Sequence, residues 1–342
     1  MYGFQVREHG GPEVLKWVEM PDPIPGPGEV RMQVAAVGVN HLDLWVRRGV
    51  EGHSFPLPLV PGSDFVGTVD ASGSGVGLVP SQQRYFVSPG TSCGKCRHCL
   101  SGEQQFCRHY GIFGETRDGG YADFVVVPQQ NLLPIPDHLS FCEAATMPLT
   151  FLTAWHMLVT RARVKPGEWV LVQAAASGVS SAAIQIGKLF GARVIATAST
   201  AEKLEHATRL GAQEVINYVT EDWVSRVRTL TGKAGVETVV DHVGAATFAG
   251  SVACLRRGGS LVLCGATAGH LVELDLRPVF FKGLSILGST MGSLGEMATV
   301  ARLINQGKLQ PHSYVEMSLA EAPAAHSRLE TRAVLGKVVL TR

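Results

Sequence analysis

Residues 169–198 read WVLVQAAASGVSSAAIQIGKLFGARVIATA, a stretch whose pattern changes three times along its length. It begins with an apolar run of strand length at 169–173, which is followed by a turn of small residues. The segment 180–190 carries apolar residues at helical spacing and stops at Gly191, because glycine readily takes the left-handed conformation that ends helices. A second apolar run follows at 192–198. Strand, tight turn, helix and strand in this order predict one βαβ unit with parallel strands.

The same alternation continues as far as residue 264. The sequence predicts three further helices at 201–210, 221–230 and 247–256, and three further strands at 214–218, 237–241 and 260–264. Thr200 can cap the first of these helices, and Gly211 can end it. Alternation of this kind is typical of a doubly wound parallel sheet with helices on both faces, so we expect the α/β fold class.

The first part of the chain has a different pattern. Valine-rich runs at 29–37, 64–69, 83–87 and 121–127 are separated by turns rich in glycine and proline, which predicts a compact β-rich domain. The pattern changes near residue 143: a helix is expected at 144–158, with Pro148 as a point where it can kink. After a strand at 284–289, the sequence predicts helices at 294–306 and 320–331 and a last strand at 337–341.

The composition excludes several classes of function. The chain has 342 residues and a formal net charge of +1, so it has no general attraction for nucleic acid or for an anionic membrane. Its start, MYGFQVREHGG, lacks the basic and apolar regions of a secretory signal, and its apolar runs are of strand length. We therefore expect a two-domain cytoplasmic protein that acts on a small molecule, with no nucleic-acid or membrane partner.

Four of the seven cysteines lie in one short segment, Cys93-Gly-Lys-Cys96-Arg-His-Cys99 followed by Cys107. Without a secretory signal, such a cluster indicates metal binding rather than disulfides. Two-residue gaps let neighbouring thiolates converge on one ion, and structural zinc prefers four ligands in a closed tetrahedron. We therefore predict that these four cysteines hold a structural zinc ion. A redox cysteine pair and an iron–sulfur cluster are the alternatives.

The turn between the first strand and the first helix of the βαβ unit is a candidate site for the pyrophosphate of a dinucleotide. It reads AAASGVS at 174–180, so alanine and serine stand where the usual Gly-x-Gly-x-x-Gly pattern has glycine. Its small residues still allow backbone amides and the helix N-terminus to approach a phosphate. We expect cofactor contacts from Ala176, Ser177, Gly178 and Val179. The alternative is an ordinary turn in an α/β protein of another function.

The end of the second strand indicates which nicotinamide cofactor binds. NAD-binding proteins have an acidic residue there for the ribose hydroxyls, and the segment 196–203, ATASTAEK, has none at that place. Ser199, Thr200 and Lys203 instead offer hydroxyl donors and one cation to a 2′-phosphate. This favours NADPH over NADH as the cofactor. In the alternative interpretation the hydroxyls only cap a helix and the lysine is only solvated.

The order of these features resembles the zinc-type alcohol dehydrogenases and the quinone oxidoreductases of the medium-chain dehydrogenase/reductase superfamily. The likeness rests on a β-rich first domain with a four-cysteine segment, a nucleotide-binding domain after it, and a final Gly-Lys-Val-Val strand at 336–339. It implies a GroES-like catalytic domain made of 1–147 with 290–342, a zinc lobe at 90–110, and a Rossmann domain at 148–289. It also implies a homodimer or homotetramer, in which the strand at 284–288 pairs with a second subunit.

The sequence departs from the zinc-type enzymes at the catalytic metal. Those enzymes have ligands in a Cys-His-x-Asp run, in a Gly-His-Glu run and at a later cysteine. Here the first run reads Asn40-His41-Leu42-Asp43, the second reads Gly62-Ser63-Asp64, and the third position falls at or near Leu149. Leucine cannot bind a metal, and the amide and hydroxyl are poor zinc ligands. An unusual metal site would have to use His41, Asp43 and Asp64.

Asn40 matches the Asn-x-x-Asp run of the quinone and enone reductases of this superfamily, which need no catalytic metal. By this resemblance Asn40 orients the substrate or the nicotinamide. Trp45 stands where such reductases often have a tyrosine, so the proton donor is left open between water and His41. Asp43 and Asp64 belong to this catalytic group or are turn residues bonded to nearby amides.

Family analogy adds further candidates for cofactor contacts. Thr153, in the helix that enters the Rossmann domain, is expected to bond the nicotinamide end. Val243, Gly265 and Ala266 follow the fourth and fifth strands, and Thr290 follows a later strand. These positions lie at the carboxyl edge of the predicted sheet, where ligands bind in open α/β folds.

The sequence therefore predicts an NADPH-dependent oxidoreductase that reduces a carbonyl-activated double bond, of enone, quinone or enoyl type, without a catalytic zinc. The first alternative is a zinc-type NAD(P)-dependent alcohol dehydrogenase with an atypical His/Asp metal site. The second is a nucleotide-binding module without turnover. The sequence does not identify the substrate, and it does not decide between a dimer and a tetramer.

Overall fold

The structure is a computed structural model that describes residues 1–331 and 334–342. The chain forms two compact units, one made of Met1–Leu149 with Gly292–Arg342 and the other of Thr150–Met291. Each unit has its own cluster of buried apolar side chains. Within the described residues, no helix has both the length and the apolar character needed to cross a bilayer.

The strands fall into two groups, since β10 to β15 belong to the second unit and the others to the first. In chain order they are β1 (Tyr2–Val6), β2 (Leu15–Glu19), β3 (Glu29–Gly38), β4 (Asp64–Ser72), β5 (Arg84–Val87), β6 (Gly90–Thr91), β7 (Gly111–Ile112), β8 (Phe124–Pro128), β9 (Leu132–Pro134), β10 (Trp169–Val172), β11 (Arg193–Ala198), β12 (Glu214–Asn217), β13 (Val236–Asp241), β14 (Leu255–Leu263), β15 (Ser285–Gly288), β16 (Tyr314–Ser318) and β17 (Lys337–Thr341).

The helices are divided between the two units. In chain order they are α1 (His41–Arg48), α2 (Arg97–Leu100), α3 (Phe141–Ala145), α4 (Pro148–Trp155), α5 (Gly178–Leu189), α6 (Ala201–Leu210), α7 (Trp223–Leu230), α8 (Ala245–Cys254), α9 (Leu276–Lys282), α10 (Leu294–Asn305) and α11 (Ala322–Glu330). Four short 3-10 helices, Pro12–Val14, Gln104–Phe106, Gln129–Asn131 and Leu319–Glu321, and a π-helix, His156–Arg161, complete the helical segments.

The first unit is built around a mixed sheet in the order β16-β17-β3-β4-β5-β9, with β8 also paired to β3. The pair β16 and β17 is parallel and the other pairs are antiparallel. The antiparallel pairing of β17 with β3 joins Val339 to Gly38, so the last strand of the chain lies beside the segment that leads into α1. This pairing brings the C-terminal strand to the candidate catalytic residues.

The second unit is a six-stranded parallel sheet in the order β12-β11-β10-β13-β14-β15. Its central strands are buried, and Leu171, Ile195 and Leu261 have no exposed surface. All strands run in the same direction, but the side on which the chain adds successive strands changes after β12. Strands β11 and β12 lie on one side of β10, and β13, β14 and β15 lie on the other. In doubly wound sheets, ligands bind at this switch point, at the carboxyl ends of the strands.

The predicted single helix at 144–158 is wrong, because the segment contains two α-helices and a π-helix. The first, α3, ends at Ala145 and is capped by Thr146, whose hydroxyl donates to the carbonyl oxygen of Glu143 at 2.7 Å. A new helix, α4, begins at Pro148, because proline lacks the N–H that a helix interior would need but fits the first turn. The helix predicted at 247–256 also ends early, and Arg256 belongs to β14.

Candidate functional site

The four clustered cysteines converge in the first unit. Their sulfur atoms all lie within 4.8 Å of one another, with Cys96 and Cys99 at 3.5 Å, Cys93 and Cys107 at 3.6 Å, and Cys93 and Cys99 at 3.9 Å. Four thiolates around zinc at about 2.3 Å would be separated by about 3.8 Å, so these spacings fit a tetrahedral site. Backbone amides of Lys95 and Cys96 bond the Cys93 sulfur and lower the pKa of that thiol to about 6.

Asp43 links the start of α1 to the loop before β4. It forms a capping box with Asn40, accepting from the Asn40 amide at 2.7 Å, and it accepts from the Gly62 amide at 3.1 Å. Asp43 is completely buried, and burial raises the pKa of its carboxyl to about 7, although both amides and the charge of Lys337 lower it. Its oxygen atoms therefore hold the backbone of two loops together.

Asn40, Asp64 and Lys337 form a buried polar cluster, which we call the Asp64 cluster. The Lys337 ammonium, on β17, donates to Asn40 Oδ1 at 2.5 Å and to Asp64 Oδ2 at 3.1 Å. Asn40 Nδ2 donates to Asp64 Oδ2 at 3.0 Å and to the Gly38 carbonyl oxygen at 3.3 Å. Both amide hydrogens of Asn40 are used inside the protein. In this geometry Asn40 bonds both members of the buried Lys337–Asp64 ion pair, and a direct contact with substrate stays a prediction.

The Asp64 cluster is closely packed. A Cβ at Gly38 would lie 2.3 Å from the carbonyl oxygen of Ala145 and 3.3 Å from Lys337 Cε, so a side chain there would displace one of them. The Lys337 side chain is 4% exposed and that of Asp64 is 0% exposed. No sequence motif marks Lys337, because its partner Asn40 is 297 positions away in the chain and the strand at 336–339 carries no signal of this pairing.

The three positions that resemble metal-ligand positions of zinc-type enzymes meet around Asp64. Asn40 bonds its side chain, and the backbone amide of Leu149 donates to its second oxygen at 2.7 Å. Ser63 precedes it, and the buried Ser63 Oγ has no hydrogen-bond partner in the part of the chain that the structure describes. In residues 1–331 and 334–342, only the four cysteines bring three or more His, Cys, Asp or Glu ligand atoms together. His41, Asp43 and Asp64 are therefore not gathered around one point.

The other two predicted catalytic residues lie on α1. His41 and Trp45 are both half-buried, one at the start of the helix and the other one turn further on. Nothing in their geometry identifies a proton donor, so their catalytic roles stay predictions.

A second buried network connects α1 to α11. The Tyr121 hydroxyl lies 3.1 Å from His326 Nε2 and shares a side-chain hydrogen bond with Asp43. Arg47, 1% exposed, pairs with Glu330, and its Nη1 lies 3.5 Å from His326 Nδ1. Burial, then the charges of Arg47 and Arg48, lower the pKa of His326 to about 3, so its ring is neutral near pH 7. This network holds the helix that carries Asp43.

The turn at 174–180 in the second unit joins β10 to α5. Ser177 caps α5, and its Oγ accepts from the Ser180 amide at 3.2 Å. Ala174 has a φ of 51°, a left-handed conformation that costs energy for a residue with a side chain. Ala176, Ser177, Gly178 and Val179 are half-buried at the carboxyl end of β10, where their backbone can face a ligand.

The ends of the neighbouring strands place the other predicted cofactor residues at the same edge. Thr200 caps α6, accepting from the Lys203 amide at 3.3 Å, and Ser199 precedes it at the end of β11. Val243 follows β13, and its amide donates to Asp241 Oδ1 at 2.8 Å. Gly265 and Ala266 follow β14, and Thr290 follows β15. Thr153 is buried on α4, which precedes all of these strands in the chain.

The carboxyl edge also contains two features typical of a ligand site. The buried Ser289 Oγ, just after β15, has no hydrogen-bond partner among the described residues. Met291 has a φ of 44°, again in the left-handed region. An unused donor and strained backbone at the edge of a doubly wound sheet fit a nicotinamide dinucleotide, whose polar groups such an edge can bond. His242, which follows β13, is a further polar residue at this edge, and no sequence motif marks it.

Comparisons with known proteins agree with this geometry. An alcohol dehydrogenase GroES-like domain matches residues 26–137, and a zinc-binding dehydrogenase domain matches residues 178–306. A quinone oxidoreductase 1 of Escherichia coli is 31% identical over 98% of this chain and 98% of its own length. The chain belongs to the medium-chain dehydrogenase/reductase superfamily.

Two other relatives show the range of chemistry in this superfamily. A crotonyl-CoA carboxylase/reductase of Cereibacter sphaeroides is 31% identical over 96% of this chain and 84% of its own length. A crystal structure described as an NAD-dependent alcohol dehydrogenase is 49% identical, with a TM-score of 0.96 and complete coverage of both chains. The predicted α/β fold, with a GroES-like and a nucleotide-binding domain, is confirmed, and the chain is an NAD(P)H-dependent oxidoreductase.

Proposed function

We propose that this medium-chain oxidoreductase is an NADPH-dependent reductase of carbonyl-activated double bonds in enones, quinones or enoyl thioesters. The observation that carries the proposal is the Asp64 cluster. The zinc-type enzymes that the chain resembles bind their catalytic metal with a cysteine, a histidine and a second cysteine. Here Asn40, Ser63 and Leu149 stand at those positions, and a lysine ammonium is buried beside them.

The bound nicotinamide would supply a hydride to the β-carbon of the substrate. The negative charge that develops on the carbonyl oxygen is delocalised over the conjugated system. A hydrogen-bond donor can therefore stabilise this charge, and a strong Lewis acid is not needed. The Ser63 hydroxyl is the donor that the cluster leaves unused. The Lys337 ammonium and the Asp64 carboxylate, next to Ser63 in the chain, neutralise each other, so the hydroxyl would act as a neutral donor.

The test compares two substrate classes on protein purified without added metal or chelator. We expect NADPH-dependent reduction of enones or enoyl thioesters, and we expect about one zinc per chain, for the four-cysteine site alone. Ser63→Ala should lower kcat by about 10²-fold, as loss of one oxyanion donor does. Ser88→Ala, at another buried serine of the same unit, is the matched control and should leave kcat unchanged. Equal activity of Ser63→Ala and Ser88→Ala would contradict the role of Ser63.

The preference for NADPH rests on Ser199, Thr200 and Lys203. The oxygen of Thr200 accepts from the Lys203 amide, which leaves its hydroxyl hydrogen to donate, and the half-buried Lys203 can bring its charge to a 2′-phosphate. We expect Lys203→Ala to raise the Kd for NADPH and to leave the Kd for NADH unchanged. If the wild-type protein binds NADH more tightly, the cofactor is NADH, as the name of the 49% identical relative says of that protein.

That relative also supports a second candidate function, an alcohol dehydrogenase. In this case a second metal ion would bind beside Asp64, and its ligands would have to move, since His41, Asp43 and Asp64 are not gathered around one point. About two zinc ions per chain, with oxidation of alcohols that a chelator abolishes, would establish this function and reject the metal-free reductase. One zinc per chain with enone reduction gives the opposite conclusion.

We also propose that the chain forms a homodimer or homotetramer in the cytoplasm. Support comes from β15, which ends the parallel sheet, and from the exposed aromatic residues Phe280 and Phe281 on the preceding helix α9. An unpaired strand edge next to an apolar surface is the kind of feature that a second copy of the chain covers.

A further inference from the structure

A histidine lies between two serines of the turn that joins β10 to α5. His242 Nε2 is 2.7 Å from Ser177 Oγ and 2.9 Å from Ser180 Oγ. Its backbone is fixed by the preceding residue, Asp241, whose Oδ1 accepts from the amides of Val243 and Gly244. All of these residues belong to the second unit, so the arrangement is internal to the nucleotide-binding domain.

The hydrogen bonds of Ser180 decide which ring nitrogen of His242 carries the proton. Ser180 Oγ donates to the carbonyl oxygen of Gln173 at 2.6 Å, which uses its only hydrogen. Ser180 can therefore only accept from His242, so Nε2 must be protonated. The same N–H points between the two serines, and Ser177 also accepts it.

Ser177 is then left with a hydrogen to donate. With Nε2 protonated, its oxygen accepts from the Ser180 amide and from His242, and neither of these bonds uses its hydroxyl hydrogen. Ser177 is the residue immediately before Gly178, the first residue of the twelve-residue helix α5. The free donor thus stands at the end of the helix whose dipole favours an anion.

We propose that His242 is a positioning residue that turns the Ser177 hydroxyl toward the pyrophosphate of the nicotinamide dinucleotide. This inference depends on the proposed function only for the class of cofactor. It explains how a turn without the usual glycines would bind phosphate. In glycine-rich turns the backbone amides come close to the phosphate and donate to it, and here the Ser177 hydroxyl would supply one of these hydrogen bonds. In this role His242 would act through Ser177.

The network behind the serines makes this orientation rigid. Gln173, which accepts from Ser180, is held by Thr197 and Ser251 through bonds of 2.6 Å and 3.3 Å to its side chain. Ser251 in turn donates to Asp241 Oδ2 at 2.8 Å. Burial of the His242 ring lowers its pKa, although the Asp241 charge opposes this shift.

The test measures Kd values for NADPH, for ADP as a diphosphate fragment, and for adenosine as a fragment without phosphate. We expect His242→Ala and Ser177→Ala each to raise the Kd for NADPH and ADP by about 5- to 10-fold, and to leave the Kd for adenosine unchanged. The double variant should be no weaker than the weaker single variant, because His242 acts through Ser177. His242→Gln, which keeps a donor, should restore part of the affinity.

His206→Ala is the matched control. His206 is buried and its Nε2 lies 3.3 Å from Ser181 Oγ, one residue further along α5, so its loss tests the effect of removing a similar histidine. If His242→Ala weakens NADPH no more than His206→Ala does, or if the effects of His242→Ala and Ser177→Ala multiply, the inference is wrong. If His242→Ala does not fold, the Kd values of Ser177→Ala and His242→Gln for NADPH and for adenosine test the inference in the same way.

The outcome also separates this inference from the proposed function. A wild-type protein that binds NADPH or NADH but reduces no enone contradicts the reductase and leaves the role of His242 to the binding data. Enone reduction together with an unchanged Kd in His242→Ala rejects only the inference. A wild-type protein that binds neither NADPH nor NADH rejects both.

Discussion

At the scale of single residues, Lys337 neutralises the buried carboxylate of Asp64. Lys337→Met removes this cation with little change in volume and leaves an unpaired buried charge, which should cost about 3–5 kcal/mol of unfolding free energy. Combining it with Asp64→Asn removes both charges, so the double variant should be more stable than Lys337→Met. Urea unfolding measures these free energies, with the exposed Lys308→Met as the control. Equal losses in the single and double variants would show that charge pairing does not stabilise the cluster.

Asp43 gives a second prediction at this scale, because burial raises its pKa from 3.8 to about 7. Between pH 3.8 and about 7, Asp43 is protonated in the folded state and ionised in the unfolded state. The contribution of Asp43 to the unfolding free energy is therefore complete below pH 3.8 and is lost as pH rises to about 7. Asp43→Asn removes this dependence. It also leaves one of the two bonded amides facing an NH₂ group, at a cost of about 1–3 kcal/mol.

The measurement is the unfolding free energy of both proteins from pH 4 to 8. We expect the difference between wild type and Asp43→Asn to shrink steadily as pH rises toward 7. Asp118→Asn controls for loss of a carboxylate, since the exposed Asp118 also accepts from a backbone amide, that of Val60. A difference that stays constant across this range would contradict a raised pKa for Asp43.

The residues that sequence could predict were those whose partners are close in the chain. Four cysteines within fifteen positions converge because short loops can bring them together, and their sulfur spacing fits a metal site as predicted. Lys337 and His242 could not be found in this way. Each meets its partners through strand order, with 297 positions between Lys337 and Asn40 and 65 between His242 and Ser177.

At the scale of elements, α1 is held to α11 by Arg47 and Glu330. Arg47 is 1% exposed and also donates to the Gly10 carbonyl oxygen at 3.2 Å, so Arg47→Met should cost about 3 kcal/mol of unfolding free energy. Arg48 pairs with the same carboxylate at 2.7 Å but is 51% exposed, and Arg48→Met should cost less than about 1 kcal/mol. Chemical unfolding of both variants tests this, and equal losses would mean that burial of the pair is unimportant.

The ends of the helices depend on side-chain hydrogen bonds and on proline, which the spacing of apolar residues does not reveal. The apolar spacing at 144–158 continues through Thr146 and Pro148, yet the helix stops between them. A threonine hydroxyl bonded to a carbonyl oxygen ends one helix, and a proline begins the next. Helix α5 instead agreed closely with its prediction, because a serine cap and a left-handed glycine mark its ends.

At the scale of the whole molecule, the alternation of strands and helices predicted the parallel sheet correctly. Short right-handed crossovers leave few ways to arrange such units, so the pattern of 169–264 was sufficient for the class of fold. The mixed sheet of the first unit was less accessible, since β17 pairs with β3 across almost the full length of the chain. In both units the candidate site residues lie where strands that are distant in sequence end side by side.

Assembly would depend on the edge of the parallel sheet. Strand β15 forms the end of the parallel sheet and, in the described residues, pairs only with β14. Helix α9 precedes it, and Phe280 and Phe281 are 64% and 68% exposed. A second copy of the chain could bury both rings and continue the sheet. Burial of two such aromatic side chains at the centre of an interface contributes about 2 kcal/mol each or more.

We therefore expect the double variant Phe280→Asp with Phe281→Asp to raise the Kd of self-association at least about 10³-fold. Light scattering coupled to size-exclusion chromatography, over a range of protein concentrations, measures the mass of the particle. Leu78→Asp places the same charge at a residue that is 95% exposed elsewhere and should keep the wild-type mass. The double variant should still bind NADPH, because its substitutions lie on α9 and not at the turn between β10 and α5. A double variant with the wild-type mass would exclude this surface as the interface, and a wild-type monomer at all concentrations would exclude the oligomer itself.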